Sequence, residues 1–176
     1  FRSLISIHID AVKISSCNLT NIPFLEEVAD SKIPVLLSTG MGSLTEVIEA
    51  VRIFKKSGSN LLLFQCTSNY PSKSINANLL VINTYQRLFD VPVGFSDHTV
   101  SNTAAIVAVG LGAVVIEKHF TTSRKLPGID QKASIEPGEL KVLIKELRDA
   151  KLSLGSPLKE RTLEEMDTAA ALRRSI

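Results

Sequence analysis

The stretches VPVGFSDHT (91–99) and AVVIEKHFT (113–121) are two apolar runs, each closing on a polar knot that carries a histidine: His98 in the first, His119 in the second. Neither run shows the strict alternation of a half-exposed strand. Near-continuous apolar character is the pattern of strands covered on both faces, as in a parallel sheet. Three more runs of this kind come earlier: AVKISS (11–16), IPVLLSTG (33–40) and NLLLFQCTS (60–68). With 91–97 and 113–120 they make five expected strands.

Helical stretches separate them. In SLTEVIEAVRIFKKSG (43–58), Ser43 and Glu46 have the spacing of a capping box. Leu44, Val47, Ile48, Val51 and Phe54 recur at helical spacing, Lys55 and Lys56 sit in the last turn, and Gly58 ends it. Further helices are expected over 20–30, 77–89, 101–110 and 136–153, the last with Pro137 in its first turn. The polar tail 154–176 reads as a loop and a peripheral helix. Strand and helix thus alternate about five times, which is the α/β class with a parallel sheet. No linker divides the chain, so 1–176 reads as one domain. Two architectures remain open: a doubly wound sheet and part of a (βα)8 barrel. No GxGxxG follows the first strand and no Walker-type GxxxxGK[ST] occurs, which disfavours nucleotide-binding readings.

The totals bound the function classes. The chain has 176 residues, 44% hydrophobic and 22% charged, which is ordinary globular composition. A net charge of +2 carries no footprint for nucleic acid, and no apolar run suits a membrane span. The opening FRSLISIHID lacks the build of a signal peptide. Cys17 and Cys66 lack metal-type spacing and read as free thiols in a reducing compartment, so a cytoplasmic protein is the default. The chain begins without Met and on apolar residues, so it is expected to be a piece of something longer.

Every expected strand ends in hydrogen-bonding or reactive residues. These are Lys13, Ser15, Ser16 and Asn18; Ser38 and Thr39 before Gly40; Thr67, Ser68, Asn69 and Tyr70; Ser96, Asp97 and His98; and Glu117, Lys118 and His119. In βα-barrels the C-terminal ends of the strands form the catalytic face. Thr20, Ser43 and Ser101 taken singly read as readily as helix caps. Either histidine alone reads as a hydrogen-bonded structural residue. On neighbouring strands about 4.8 Å apart, the matched pair can instead meet one divalent metal with open positions. Alternation places Ser96 with His98 on one face, and Glu117 with His119. Lys13 and the serines make a phosphate cradle, unless Lys13 snorkels to the surface. Asp130, in LPGIDQKAS (126–134), either takes substrate hydroxyls or forms the turn. His8 has no comparable setting.

Taken together, KISSCNLTNIPFLE, PVLLSTGM, CTSNYPS, VGFSDHT, VIEKHFT and PGIDQKASIEPGEL, in this order, resemble the sialic acid synthase family from about Val12 onward. The resemblance implies a (βα)8 TIM barrel, of which this chain would carry about the last five βα units. It implies condensation of phosphoenolpyruvate with an N-acetylated amino-sugar aldehyde, giving a nonulosonic acid and phosphate. By the same resemblance His98 and His119 are metal ligands, for Mn²⁺ or Mg²⁺, and with Lys13 form the catalytic set. Lys13, Ser16, Ser38, Ser68 and Ser96 fall where the family holds phosphoenolpyruvate, and Tyr70 and Asp130 where it holds the sugar. By the same resemblance the given sequence is expected to begin after the family's first three βα units and to stop short of its small C-terminal antifreeze-like domain. Asn18 stands where an acid is common, and Gln131 where many members have His. A homodimer, or association with the missing barrel half, is expected. The alternatives are another metal-dependent, aldolase-like barrel acting on phosphorylated substrates, or a non-catalytic fragment.

Overall fold

The computed structural model describes residues 1 and 8–174. Most of the opening segment read as lacking a signal peptide, 2–7, and the last two residues of the tail lie outside the described residues. Five parallel strands form one sheet: β1 Val12–Ile14, β2 Val35–Ser38, β3 Leu61–Cys66, β4 Val93–Asp97 and β5 Ile116–Lys118. Six α-helices are described: α1 Ile22–Asp30, α2 Leu44–Ser57, α3 Val81–Phe89, α4 Thr103–Gly110, α5 Pro137–Ser153 and α6 Leu163–Leu172.

Strand order decides between the two architectures. Each strand pairs with the next in the chain, β1-β2-β3-β4-β5, without the reversal that defines a doubly wound sheet. The sheet is therefore a stretch of barrel wall, five consecutive βα units of the (βα)8 type.

Register sorts the side chains into two layers. Val12, Val35 and Leu61 are aligned, as are Leu37, Leu63 and Val93. This set packs against Leu25, Val28, Val47, Phe54 and Ile82 of the helices to form the core. The alternate set includes Lys13 aligned with Leu36, Ser38 aligned with Phe64, and Cys66, Ser96 and Glu117 in one row. That face turns from apolar to polar as it nears the C-terminal ends of the strands.

Local signals act as expected in α2. Ser43 and Glu46 form the capping box, and Gly58 closes the helix at φ 74°. Other boundaries differ for physical reasons. α3 starts at Val81 because Asn78, at φ 46°, breaks the helical path after a short 3₁₀ turn over Ser74–Asn76. The cap of α1 is Asn21 rather than Thr20, its carboxamide oxygen accepting from the Phe24 N–H. Ser101 accepts from the Thr103 N–H ahead of α4, while Asn102 holds the cap position. β5 is only half-buried along its length, not covered on both faces, because no described strand pairs with its far edge.

Gly94 marks a close approach within β4. A Cβ there would lie 2.6 Å from the Phe64 ring and 2.8 Å from the Val115 carbonyl. The bare backbone lets Phe64 lie flat beside β4, and the Lys13 ammonium sits 5.4 Å from that ring's centroid. Gly94→Ala is expected to destabilise the chain by about 1–3 kcal/mol through overpacking. Denaturant unfolding measures this, and an unchanged midpoint would contradict the packing described.

Candidate active site

The tips of all five strands meet around one cleft of about 430 Å³. β1 supplies Lys13, whose Nζ donates to Ser38 Oγ of β2 at 2.7 Å and lies 3.5 Å from Glu117 Oε1 of β5. Ser96 Oγ of β4 donates to the same carboxylate oxygen at 2.7 Å. Lys13 is thus held inward, about a third exposed, rather than snorkelling. Cation–π attraction to Phe64 supports the same orientation.

Next to this chain of contacts lies a hydroxyl cradle. The Gly40 N–H donates to Ser16 Oγ at 2.9 Å. A Cβ on Gly40 would lie 2.2 Å from Ser68 Oγ and 2.9 Å from Ser16 Oγ. Glycine here therefore leaves open the space that these two hydroxyls border. Ser16, Ser38, Ser68 and Ser96 with the Lys13 ammonium form a surface suited to a phosphate or carboxylate.

The opposite wall is aromatic. The imidazoles of His98 and His119 have centroids 5.2 Å apart, and the Tyr70 ring lies 4.3 Å from the first and 5.2 Å from the second. His98 is buried, with Nδ1 2.9 Å from the Thr67 carbonyl. A carbonyl only accepts, so a neutral His98 ring carries its proton on Nδ1 and keeps the lone pair on Nε2. His119 Nδ1 lies 3.8 Å from Asp130 Oδ2. Among the described residues no three His, Cys, Asp or Glu side chains gather as a ligand set. One imidazole oriented through Nδ1 and a second beside it would fit a divalent ion that leaves positions for water or substrate oxygen.

Of the nine residues given a role by the resemblance, together with Glu117, nine line this cleft: Lys13, Ser16, Ser38, Ser68, Tyr70, Ser96, His98, Glu117 and His119. The tenth, Asp130, stands outside the lining, in a loop whose carboxylate reaches His119. Its side chain makes no cap bond in the adjoining 3₁₀ turn Gln131–Ala133, while its carbonyl accepts from the Ala133 N–H and the Ser134 hydroxyl. Glu117 was readable as a strand-end residue that alternation places on the face of His119. Ser15, one of the strand-end residues named from sequence, also lines the cleft, whereas Cys17, Met41 and Cys66 carry no local signal that marks them as cleft residues. Asn18 instead turns its amide toward Cys17 Sγ at 3.7 Å. A larger cleft, about 640 Å³, adjoins this one at Met41, Cys66 and Ser68 and is bordered by Leu79, Leu80 and Tyr85. It contains no histidine, lysine or carboxylate, so the chemistry collects in the smaller cleft.

A parallel barrel wall with a hydroxyl-and-lysine cradle facing two histidines defines the class. The chain belongs to the NeuB family, whose model matches residues 1–159. It is 43% identical over 178 residues to the N,N'-diacetyllegionaminic acid synthase of Legionella pneumophila, covering 98% of this chain and 50% of that protein. It is 39% identical over 165 residues to the N-acetylneuraminate-9-phosphate synthase of Mus musculus, covering 93% of this chain and 46% of that one. A solved structure of an N-acetylneuraminic acid (sialic acid) synthetase from Leptospira borgpetersenii, in complex with citrate, superposes with a TM-score of 0.88 at 40% identity, covering 99% of this chain and 62% of that one. The chain spans about half the length of the curated relatives it matches.

The two tyrosines of the chain are Tyr70 and Tyr85, and both have raised phenol pKa values. Burial is the main cause in each, aided at Tyr70 by the negative groups around it, Cys66, Asp130 and Glu117. Tyr85 donates to Thr39 Oγ1 at 3.0 Å. A folded-state pKa raised above the unfolded value means that the unfolded chain loses these protons first. The contribution to stability is level below the ordinary phenol value of about 10 and falls as pH rises past it. A phenolate absorbance titration is expected to show both tyrosines ionising above that value, the Tyr85→Phe variant leaving one step. A step at or below it would contradict the burial described.

Proposed function

We propose that this chain is part of an enzyme that condenses phosphoenolpyruvate with an N-acylated amino-sugar aldehyde to give a nonulosonic acid and phosphate. One observation carries the reading: Lys13 and four serine hydroxyls from successive strand ends face the His98–His119 pair across a single cleft. The similarity to legionaminic, neuraminic and sialic acid synthases supports it.

In this reading Lys13 and Ser16, Ser38, Ser68 and Ser96 bind the phosphate and carboxylate of phosphoenolpyruvate. Tyr70 and Asp130 orient the sugar. His98 and His119 hold a divalent ion, Mn²⁺ or Mg²⁺, which when bound supplies Lewis-acid polarisation of the aldehyde oxygen. The methylene carbon of phosphoenolpyruvate attacks the aldehyde carbon, water adds at the former enol carbon, and the tetrahedral intermediate loses phosphate with C–O cleavage. The Lys13 ammonium offsets phosphate charge throughout. Glu117, bound by Ser96 and near Lys13, keeps both donors in place while the substrate is away. Positioning and electrostatics provide most of the acceleration.

The same reading gives a role to the edges of β1 and β5 that no described strand pairs with. Unpaired strand edges recruit further strands. We infer that the rest of a barrel, or a second copy, covers them in a homodimer or larger assembly, and that the protein works in the cytoplasm. Light scattering is expected to show species above the 19.1 kDa of one chain. A monomer with a cooperative melt would contradict this.

Calorimetric titration with phosphoenolpyruvate tests the function. Saturable binding is expected, weakened at least about tenfold by Lys13→Met through loss of a charge-assisted contact. Gly40→Ala is expected to weaken it as well, because the new methyl enters the cradle. Binding that both variants leave unchanged would sink the cradle assignment. Phosphate release that needs both phosphoenolpyruvate and an N-acetylhexosamine separates this reading from an aldolase.

A further inference from the structure

The two histidines sit one residue beyond the last backbone rung that joins their strands. The β4–β5 ladder aligns Phe95 with Ile116, Ser96 with Glu117 and Asp97 with Lys118, and extends no further. Past that rung the chains are drawn apart. Thr99 bridges to Ser72 on the β3 side, while Phe120 bridges to Ile135 on the other. Nothing in the ladder itself holds His98 beside His119.

The side chains of the last rung join the two strand ends. Lys118 Nζ donates to Asp97 Oδ2 at 2.7 Å, with the lysine side chain 7% exposed and the aspartate 0%. The same ammonium donates to the Thr99 carbonyl at 2.6 Å, and Asp97 Oδ1 accepts the Thr99 N–H at 2.8 Å. The Asp97–Thr99 bond spans His98, and the two Lys118 bonds tie both ends of that span to the residue preceding His119. Alternation sends the pair to the helix side of the sheet, so it touches neither the cleft nor anything bound there.

A buried ion pair is weak evidence of added stability, because an apolar pair of similar volume is often as stable. A geometric role accounts for it better. We propose that Asp97 and Lys118 are positioning residues that set the spacing of the His98 and His119 imidazoles. The inference rests on the reading that these imidazoles share a metal. It extends that reading to residues outside the cleft, and it also stands as a claim about ring geometry without metal.

The test uses the full chain with isotope-labelled histidine and tyrosine. Three variants are compared with the unaltered chain. Lys118→Met strands a buried carboxylate and is expected to melt at a lower temperature. The paired Asp97→Leu/Lys118→Met variant removes both charges and is expected to recover most of that loss. Asp97→Asn keeps the shape and the Thr99 N–H bond but leaves Lys118 without its anion. The first readout is the set of inter-ring nuclear Overhauser contacts among Tyr70, His98 and His119, whose rings lie 4.3–5.2 Å apart. The second is Mn²⁺ affinity. The paired variant is expected to lose the His98–His119 contact and to bind Mn²⁺ about tenfold or more weakly despite its recovered stability, in line with other residues that orient ligands. The ring contacts decide the matter. Their persistence in the paired variant and in Asp97→Asn would make the ion pair merely structural and overturn the proposal. An unaltered chain that shows the contacts but binds no Mn²⁺ would remove the metal reading and leave the positioning comparison intact.

Discussion

The parallel register of β4 on β5 is the constraint from which the rest of the site follows. It aligns Ser96 with Glu117 and Asp97 with Lys118, so the two polar knots end at one height. Because side chains alternate, successive rungs serve opposite faces. Ser96–Glu117 faces the cleft, Asp97–Lys118 faces the helices, and the histidines face the cleft again. A slip of β5 by one residue would turn Glu117 and His119 toward the helices and Lys118 toward the cleft, parting each from its partner on β4.

The same logic runs through the whole wall. The set Val12, Val35, Leu37, Leu63, Val93 and Phe95 anchors the sheet to its helices. Its alternate partners are free to change character along the strand, from Leu36 and Leu62 at the base to Ser38, Cys66, Ser96 and Glu117 at the rim. Core and site therefore share the same short strands without competing for the same positions. Gly94 and Gly40 mark where backbone must come close: one lets Phe64 support Lys13, the other leaves room among the hydroxyls.

Much of this was legible in the sequence, for identifiable reasons. Apolar runs with polar ends show up as strands because burial and exposure change within a few residues. The α2 boundaries were readable because Ser43, Glu46 and Gly58 act through local backbone chemistry. The gathering of Lys13, the four serines and the histidines followed from placing every polar knot at the same end of a parallel sheet. What sequence hid is tertiary. The Thr67 carbonyl that fixes the His98 tautomer belongs to a backbone group that any residue would supply. The Asp97–Lys118 bond depends on a register no single run encodes. The late start of α3 depends on the left-handed Asn78, and the half-exposure of β5 on its edge position.

The central claim is that strand register brings His98 and His119 together as one binding centre. Anomalous diffraction at the manganese edge, from crystals grown with Mn²⁺ and phosphoenolpyruvate, addresses it directly. The account predicts a single anomalous peak bonded to both imidazoles, with phosphoenolpyruvate density against Lys13 and the serines. Well-ordered histidines with no peak between them, or manganese bound elsewhere on the chain, would contradict it.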